Sequence, residues 1–383
     1  MKPLRVAIDA RFPSGKMGGI EQFVLGLIDG LARLEPGGER YHLLVNDGQA
    51  DWLEGRLWPG AELLFTRRGA GRRVFSDGTI EAAGIDVMHF SWQFAFLTRV
   101  PSIYHPHDLQ HLHLPRNFSF ADRIGRSLLY RLFCHRASIV SAGTEWTARD
   151  FVRQLGLSAA KVRIMNLAPV IQSYARADEA ALRAKHRLPA DFIFYPAQTW
   201  PHKNHIRLIE ALGQLRRDCP VNLVCTGALS REHQPKIEAA ARAAGVEANV
   251  QFLGFVSPAE LRALYAMCRL VCIPTTFESA SFPMWEAFEM GAPVACSTVT
   301  SLPAQAGGAA LLFDPNDVQA IAAAIRRLWE DDAERARLRA LGEQRVKQFT
   351  WEKTARLFRA HYRQLGGCAS AEDQELIAGA PLI

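Results

Sequence analysis

The chain has 383 residues, 49% of them hydrophobic, which exceeds one ordinary hydrophobic core and suffices for two domains. Its formal net charge of +6 favours anionic partners: nucleic acid, a phosphate-bearing small molecule or an acidic membrane surface. No apolar run of about 18 residues and no signal-peptide pattern is present, so the sequence predicts a protein that is neither exported nor membrane-spanning.

Cysteine usage agrees with a reducing compartment. The seven cysteines are scattered, odd in number and free of CxxC pairs or zinc-ligand spacing, so we interpret them as small core residues. The predicted location is cytoplasmic, with the inner face of the cytoplasmic membrane as an open alternative.

Short apolar or β-branched runs alternate with helical periodicity along the whole chain, which is typical of parallel sheets with crossover helices. The predicted strands of the first half are 6–9, 41–46, 62–65, 86–90, 102–105, 139–142 and 162–166. Those of the second half are 192–197, 222–226, 250–252, 270–274, 293–297 and 310–313. The predicted fold class is therefore α/β, with two doubly wound, Rossmann-like domains.

A glycine-containing loop at residues 14–19 precedes the first predicted helix, whose apolar stripe includes Phe23 and Leu27. Gly18 and Gly19 allow the backbone to approach a ligand closely, or they only shape the turn between strand and helix. The loop matches neither GxGxxG nor the Walker A pattern, which argues against nicotinamide enzymes and P-loop ATPases.

His105, His107 and Asp108 follow a predicted strand, at the sheet edge where open α/β sheets bind ligands. We expect His107 to hydrogen-bond a sugar hydroxyl. Further histidines at 111, 113 and 135 raise the question of a metal cluster, but no HExxH or paired-ligand spacing supports one. No metal site is predicted.

Within residues 116–136, phenylalanines and leucines of a predicted helix interleave with Arg123, Arg126, Arg131 and Arg136. Two interpretations stay open: an amphipathic helix whose apolar side enters the core, or a helix lying on an anionic membrane surface. No RNA-binding motif accompanies the arginines, so we expect no nucleic-acid partner.

Residues 169–189 turn polar and alanine-rich without a strand of their own, which suits a linker between domains. The predicted domains are 1–174 and 175–349. Thr350 is expected to cap a last helix that carries Trp351 and Phe358 on one face. Residues from about 350 to 383 are therefore predicted to dock back on the first domain.

A candidate anion site follows the strand at 192–197. Gln198 ends that strand, Lys203 stands before the next helix, and Asn204 is expected to cap this helix. A cation at a helix N-terminus is repelled by the positive end of the helix dipole. A bound anion that neutralises both the lysine and the helix N-terminus would explain why Lys203 stands there. The alternative is an exposed loop lysine.

The segment 274–297 is the most informative stretch of the chain, and it is expected to form a strand, a tight loop, a helix and a strand. Pro283 suits the first helical turn, and the helix N-terminus behind loop 278–282 offers free N–H groups to an anion. If the anion is a sugar diphosphate, we assign Glu286, placed in the first turn, to ribose hydroxyls, and Glu278 to the transferred sugar or the positive charge that develops on it. The alternative is that Glu286 only compensates the positive end of the helix dipole and that Glu278 is a solvent-exposed loop residue.

With these motifs the chain resembles family 4 of the retaining glycosyltransferases, which have the two-domain GT-B fold with donor bound between the domains. The resemblance covers nearly the whole length. The residues that carry it are Gly18, Gly19, Ile20, His107, Asp108, 201–204, 254–257, Glu278, Glu286 and Trp351.

The resemblance implies a first domain on the acceptor side and a second that binds the nucleotide-sugar. It implies that Lys203 binds the donor diphosphate, Glu286 the ribose and Glu278 the sugar, and that His107 lies beside that sugar. The expected catalytic residues are therefore His107, Lys203 and Glu278. The expected donor-binding residues are Gly18, Gly19, Gln198, Lys203, Phe255, Glu278, Ser279, Ala280, Ser281, Phe282 and Glu286. The implied hexosyl transfer retains anomeric configuration and requires neither metal nor cofactor.

The sequence departs from the family pattern in three places. Gln198 replaces an arginine, residues 279–281 replace Gly-Phe-Gly, and Ala304 replaces a glutamate. Similar variants resemble bacterial enzymes of surface-polysaccharide and lipopolysaccharide assembly. They imply GDP-mannose or a related GDP-sugar as donor and a saccharide, lipid-linked, as acceptor.

Two other functions stay open. A UDP-sugar 2-epimerase of the same fold would isomerise its donor without any acceptor. The departures at 198, 279 and 304 also fit a catalytically degenerate scaffold subunit of a polysaccharide assembly complex.

Overall fold

The computed structural model describes residues 2–12, 18–48, 50–53, 55–66 and 74–381. The chain divides into two compact units. Unit 1 comprises Met1–Leu167 and Phe349–Ile383, and unit 2 comprises Ala168–Gln348.

All the predicted strands are present, with some ends shifted by one or two residues. In unit 1 they are β1 (Leu4–Asp9), β2 (Glu39–Asn46), β3 (Ala61–Thr66), β4 (Val87–Phe90), β5 (Ser102–Tyr104), β6 (Ile139–Ala142) and β7 (Val162–Ile164). In unit 2 they are β8 (Ile193–Pro196), β9 (Leu223–Thr226), β10 (Val250–Phe252), β11 (Leu270–Ile273), β12 (Val294–Ser297) and β13 (Ala310–Phe313).

The α-helices of the described residues connect these strands and cover the sheets. The first group is α1 (Gly19–Ala32), α2 (Thr79–Ala82), α3 (Gln110–His113), α4 (Phe120–Arg136) and α5 (Glu145–Leu155). Unit 2 holds α6 (Glu179–His186), α7 (His205–Leu215), α8 (Gln234–Ala244), α9 (Pro258–Met267), α10 (Phe282–Glu289), α11 (Leu302–Ala306), α12 (Val318–Glu330) and α13 (Asp332–Val346). The chain ends with α14 (Trp351–Leu365) and α15 (Ala371–Gly379).

Both sheets are parallel and doubly wound. The seven-stranded sheet has the order β3-β2-β1-β4-β5-β6-β7, and the six-stranded sheet has the order β10-β9-β8-β11-β12-β13. The winding direction therefore reverses between β1 and β4 in unit 1 and between β8 and β11 in unit 2. Open α/β sheets bind ligands outside the carboxyl ends of the strands at such reversals.

The central strands of unit 2 are buried on both faces, as in parallel sheets covered by helices on each side. Every residue of β9, β11 and β12 is buried. This explains why their sequences, such as Leu270–Ile273, are continuous apolar runs instead of alternating patterns.

The boundary between the units falls at Leu167 and Ala168, earlier than the predicted 174 and 175. Residues 168–174 pack on unit 2 instead of forming a free linker. Ile171 is fully buried, and the Arg262 guanidinium donates to the carbonyl oxygens of Gln172 and Tyr174.

The C-terminal helix α14 belongs to unit 1, as predicted, and packs on α1. The Thr350 hydroxyl accepts a hydrogen bond from the Lys353 amide and caps the helix. The rings of Trp351 and Phe23 meet edge to face at 5.9 Å. Gly26 leaves the space for the indole, because a Cβ there would lie 1.8 Å from a Trp351 ring carbon.

Replacing Gly26 with alanine should therefore destabilise unit 1. The added methyl group forces Trp351 away from α1, which for an overpacked core costs about 1–3 kcal/mol. Differential scanning calorimetry of the full chain should show a lower melting temperature for the transition that includes unit 1.

Gly125→Ala provides the matched control. Gly125 also lies in a helix, but nothing lies within 4 Å of its added Cβ, so alanine should raise stability by about 0.5–1 kcal/mol. Equal melting temperatures for the two variants would contradict the close packing of α1 and α14.

Candidate functional site

Lys203 and Glu278 form an ion pair at the carboxyl edge of the unit 2 sheet. Lys203 follows β8 and Glu278 follows β11, the two strands that flank the reversal of winding. The Lys203 ammonium lies 2.7 Å from the Glu278 carboxylate, and the two side chains are 19% and 14% exposed. This edge thus holds a cation and a carboxylate, both still reachable from solvent.

The backbone of Lys203 is tied to both strands. It ends a 3₁₀ turn, Pro201–Lys203, and its carbonyl oxygen accepts a hydrogen bond from the Tyr195 hydroxyl at 2.9 Å. The neighbouring His202 carbonyl accepts bonds from the Thr276 amide at 2.8 Å and the Thr275 hydroxyl at 3.0 Å. The position of Lys203 is therefore set by β8 and by the loop after β11 together.

The prediction that Asn204 caps α7 is confirmed for its position but not for its side chain. Asn204 occupies the N-cap position but has φ 62° and no capping hydrogen bond from its side chain. Its buried amide donates instead to the carbonyl oxygens of Pro274 and Pro315, each at 2.9 Å. Both acceptors lie far away in sequence, so the Asn204 side chain connects the start of α7 to two distant segments of unit 2.

Three backbone N–H groups before and at the start of α10 are hydrogen-bonded within the chain, contrary to the expectation that such groups are free. The Glu278 amide donates to the Thr300 hydroxyl at 3.1 Å, and the Ser281 amide donates to Gln305 Oε1 at 2.9 Å. The Met284 amide donates to the Ser281 hydroxyl, which is the N-cap of the helix. Pro283 lies in the first turn, as predicted.

Glu286 is deeper in α10 than predicted. It lies beyond the first turn, which contains no acidic residue, and it is only 2% exposed. The Tyr265 hydroxyl donates to its carboxylate at 2.6 Å, and burial beside Glu286 raises the pKa of Tyr265. Sequence reasoning missed Tyr265, because a tyrosine on the apolar face of α9 resembles any core residue.

The other predicted donor-binding residues of unit 2 differ in accessibility. Gln198 accepts a hydrogen bond from the indole of Trp200, and Phe255 is 57% exposed. Ser279 and Ala280 are half-buried. Ser281 and Phe282 are buried, since Ser281 caps α10 and Phe282 is its first residue.

In unit 1 the described part of the glycine loop begins at Gly18. Gly18 has φ 54°, a conformation that favours glycine, and precedes α1, which starts at Gly19. Both residues are exposed. Residues 14–17 of the predicted loop lie outside the described residues.

His107 is held in one protonation state and one tautomer. Burial lowers its pKa to about 4, so the ring is neutral near pH 7. Its Nε2 lies 2.8 Å from the Ser91 carbonyl oxygen, which only accepts, so Nε2 carries the hydrogen. The lone pair on Nδ1 is therefore a hydrogen-bond acceptor.

The neighbours of His107 have structural contacts. His105 is buried, stacks on Phe23 at 4.4 Å and lies 2.8 Å from the Ser141 hydroxyl. Asp108 accepts a hydrogen bond from the Gln110 amide at 2.9 Å, next to α3. Within the described part of the chain, no group of three His, Cys, Asp or Glu side chains could hold a metal ion.

None of the helices formed by the described residues is long and apolar enough to cross a bilayer. Helix α4 is amphipathic, as the first of the two interpretations predicted. Tyr130, Phe133 and Cys134 enter the core of unit 1, whereas Phe120 and Leu128 stay 73% and 65% exposed.

Comparisons with known proteins identify two family models. The model "Glycosyltransferase Family 4" matches residues 17–166, and the model "Glycosyl transferases group 1" matches residues 178–345. HepE of Anabaena, solved in complex with UDP and glucose, superposes with a TM-score of 0.74 at 20% identity, covering 94% of this chain and 100% of that chain. The chain therefore shares the GT-B class of fold.

Among curated proteins, O-antigen chain mannosyltransferase B of Escherichia coli is 44% identical over 103 residues, 27% of this chain and 27% of that protein. Serotype-specific mannosyltransferase WbdA of Escherichia coli is 29% identical over 231 residues, 58% of this chain and 28% of that protein. The aligned segments thus span little more than a quarter of the length of either relative.

Glu278→Gln should increase the affinity of the chain for inorganic pyrophosphate. The substitution removes the carboxylate that neutralises Lys203, and a partly exposed ion pair of about 0.5–1 kcal/mol corresponds to about two- to fivefold tighter binding. Isothermal titration calorimetry of the full chain measures the change.

Glu260→Gln is the control, because Glu260 also pairs with a lysine, Lys185, at 2.7 Å, but on helices α6 and α9. This variant should bind pyrophosphate like the original chain. Weaker binding by Glu278→Gln would show that Lys203 is not the cation that meets the anion.

Proposed function

Because this chain belongs to glycosyltransferase family 4, we propose that it transfers a sugar from a nucleoside diphosphate donor to a saccharide acceptor. The observation that carries the proposal is the Lys203–Glu278 ion pair at the carboxyl edge of the unit 2 sheet. A diphosphate needs a cation and a sugar needs hydrogen-bond acceptors, and this pair offers both on adjacent strand ends.

Lys203 is the group proposed to bind the donor diphosphate. Its ammonium is 19% exposed, and it is held by a turn that immediately precedes α7. A bound diphosphate replaces Glu278 as the partner of Lys203 and also meets the positive end of the α7 dipole. The exchange keeps the Lys203 ammonium paired, and the released Glu278 carboxylate, which is 14% exposed, stays reachable by hydroxyl donors.

The two glutamates are proposed to accept hydrogen bonds from donor hydroxyls. Glu278, released from Lys203, contacts the transferred sugar. Glu286, whose carboxylate also accepts a hydrogen bond from the Tyr265 hydroxyl, accepts from the ribose. Because Glu286 is buried, such hydrogen bonds are electrostatically stronger than those of a solvated carboxylate.

The proposed reaction breaks the bond between the anomeric carbon and the donor phosphate oxygen and forms a bond from that carbon to an acceptor oxygen. The acceptor hydroxyl attacks from the side that the diphosphate leaves, so configuration is retained. Its proton passes to a phosphate oxygen of the departing nucleoside diphosphate. Lys203 stabilises the negative charge that grows on this leaving group, the role that a metal ion plays elsewhere.

For unit 1 we propose that His107 accepts a hydrogen bond from a saccharide hydroxyl through Nδ1. The Ser91 carbonyl fixes the required tautomer, and the lowered pKa keeps the ring uncharged at neutral pH. His107 thus orients a substrate and does not transfer protons.

GDP-mannose is the proposed donor, and a saccharide attached to a lipid is the proposed acceptor. The names of two relatives, both mannosyltransferases and one of them an O-antigen enzyme, support this choice. The assignment places the chain in the assembly of a surface polysaccharide.

The purified chain, given GDP-mannose and methyl α-mannobioside with EDTA present, should release GDP and form a mannosylated product with an α linkage. Lys203→Met should lower kcat/KM at least about 100-fold, because the leaving diphosphate loses its cation in the transition state. Chromatography quantifies GDP, and proton NMR assigns the anomeric configuration.

Lys185→Met is the matched control, since Lys185 also pairs with a glutamate at 2.7 Å, away from this edge. Turnover that requires added Mg²⁺ would contradict the metal-free reaction. Transfer to the acceptor from UDP-glucose but not from GDP-mannose would overturn the choice of donor. Isomerised UDP-N-acetylglucosamine without acceptor would identify an epimerase. Absence of nucleotide binding would identify a scaffold subunit.

We further propose that α4 lies on an anionic membrane surface. Phe120, Ile124 and Leu128 recur at every fourth position and remain exposed, while Arg123 and Arg131 are exposed beside them. Apolar side chains enter the lipid interface and flanking arginines meet anionic head groups. A lipid-linked acceptor would be reached from such a surface.

The triple variant Phe120→Ser, Ile124→Ser and Leu128→Ser should lose binding to vesicles of phosphatidylglycerol and phosphatidylethanolamine, because it removes the apolar area that enters the interface. Cosedimentation with the vesicles measures bound protein. The original chain should bind neutral phosphatidylcholine vesicles more weakly.

Leu376→Ser, at another exposed leucine on α15, should leave vesicle binding unchanged. Equal binding of the triple variant and the original chain would refute the role of α4.

A further inference from the structure

Thr300 and Ser301 bind the backbone of Glu278 from the turn that follows β12. The Glu278 amide donates to the Thr300 hydroxyl at 3.1 Å, and the same hydroxyl donates to the Glu278 carbonyl oxygen. The Ser301 hydroxyl also donates to that carbonyl, at 2.9 Å. Both polar groups of the Glu278 backbone are therefore held by one short segment.

Gln305 of α11 holds the other end of the loop in the same way. Its Oε1 accepts from the Ser281 amide at 2.9 Å, and its Nε2 donates to the Ser281 carbonyl oxygen at 2.6 Å. Ser281 is fully buried and Gln305 is 4% exposed, so water does not compete for these bonds. The loop 278–281 is thus anchored by side chains at both ends.

Thr300 makes its contacts from an unfavourable backbone conformation. Its φ of 51° lies in the left-handed region, which a β-branched residue rarely adopts. Glycine would adopt this φ without strain. Strain of this kind persists where the surroundings hold the residue, and it is found at functional sites. The hydroxyl contact to Glu278 is a reason to keep threonine here.

We propose that Thr300 and Gln305 are positioning residues that hold the loop 278–281, so that the Glu278 carboxylate keeps its place beside Lys203 when the donor binds. The inference rests on the proposed function, because the place of Glu278 affects turnover only if the donor binds at this edge.

Thr300→Val and Thr300→Ser separate the hydroxyl from the shape of the side chain. Valine keeps the shape and removes the hydroxyl, so kcat with GDP-mannose should fall about 10- to 100-fold, with KM changed less than about threefold. Serine keeps the hydroxyl and should retain kcat within about threefold. Thr298→Val, at an exposed threonine two positions earlier in the same turn, should behave like the original chain.

Thr300→Gly distinguishes positioning from stability. Glycine relieves the strained φ, so the melting temperature should stay equal or rise while kcat falls as in Thr300→Val. Gln305→Met, which keeps the length of the side chain without its amide, should also lower kcat more than it raises KM. The proposal would be overturned if kcat fell in proportion to the melting temperature across these variants and if Thr300→Ser did not retain the activity that Thr300→Val loses.

Amide hydrogen exchange on the unliganded chain tests the anchoring independently of catalysis. Peptides covering residues 276–282 should exchange faster in Thr300→Val than in Thr300→Ser or Thr298→Val. Unchanged exchange, or equal kcat for the valine and serine variants, would refute the anchoring role. If the original chain turns over no nucleotide-sugar, the proposed function fails, and the exchange result still decides whether Thr300 holds the loop.

Discussion

The candidate site depends on one topological constraint, the reversal of winding between β8 and β11. It places the carboxyl ends of two strands side by side although 75 positions separate Lys203 from Glu278. Parallel pairing brings both ends to the same edge, so an ammonium and a carboxylate meet at 2.7 Å. The Tyr195 hydroxyl and the Asn204 amide then fix the turn that carries the lysine.

The two glutamates of this edge differ in burial, and burial separates what each can do. Glu278 stays partly exposed and forms an ion pair with Lys203, so a bound anion can take its place beside the lysine. Glu286 is almost fully buried and bound by Tyr265, so its orientation is set before any ligand binds. An exchangeable carboxylate beside a fixed one suits a ligand with both charged and hydroxyl groups.

Unit 1 offers a different chemistry at the carboxyl edge of its own sheet. Burial lowers the pKa of His89 to about 3 and that of His107 to about 4, so these rings are neutral hydrogen-bonding groups. The hydroxyl of Tyr362, on α14, lies 2.7 Å from His89 Nδ1. The C-terminal segment thus completes the core behind this edge, and Gly26 leaves room for its Trp351.

The strands, the doubly wound class of each half and the Thr350 cap of α14 followed from the sequence alone, because periodicity and capping are local properties. The positions of Lys203 and Glu278 at strand ends were predictable for the same reason. Only the tertiary structure decided that the Asn204 amide donates to Pro274 and Pro315. The same holds for the buried Glu286, which accepts a hydrogen bond from Tyr265. It also holds for Thr300 and Gln305, whose side chains hydrogen-bond the loop 278–281. These contacts join residues distant along the chain, and no local pattern reveals which buried polar group a side chain will satisfy.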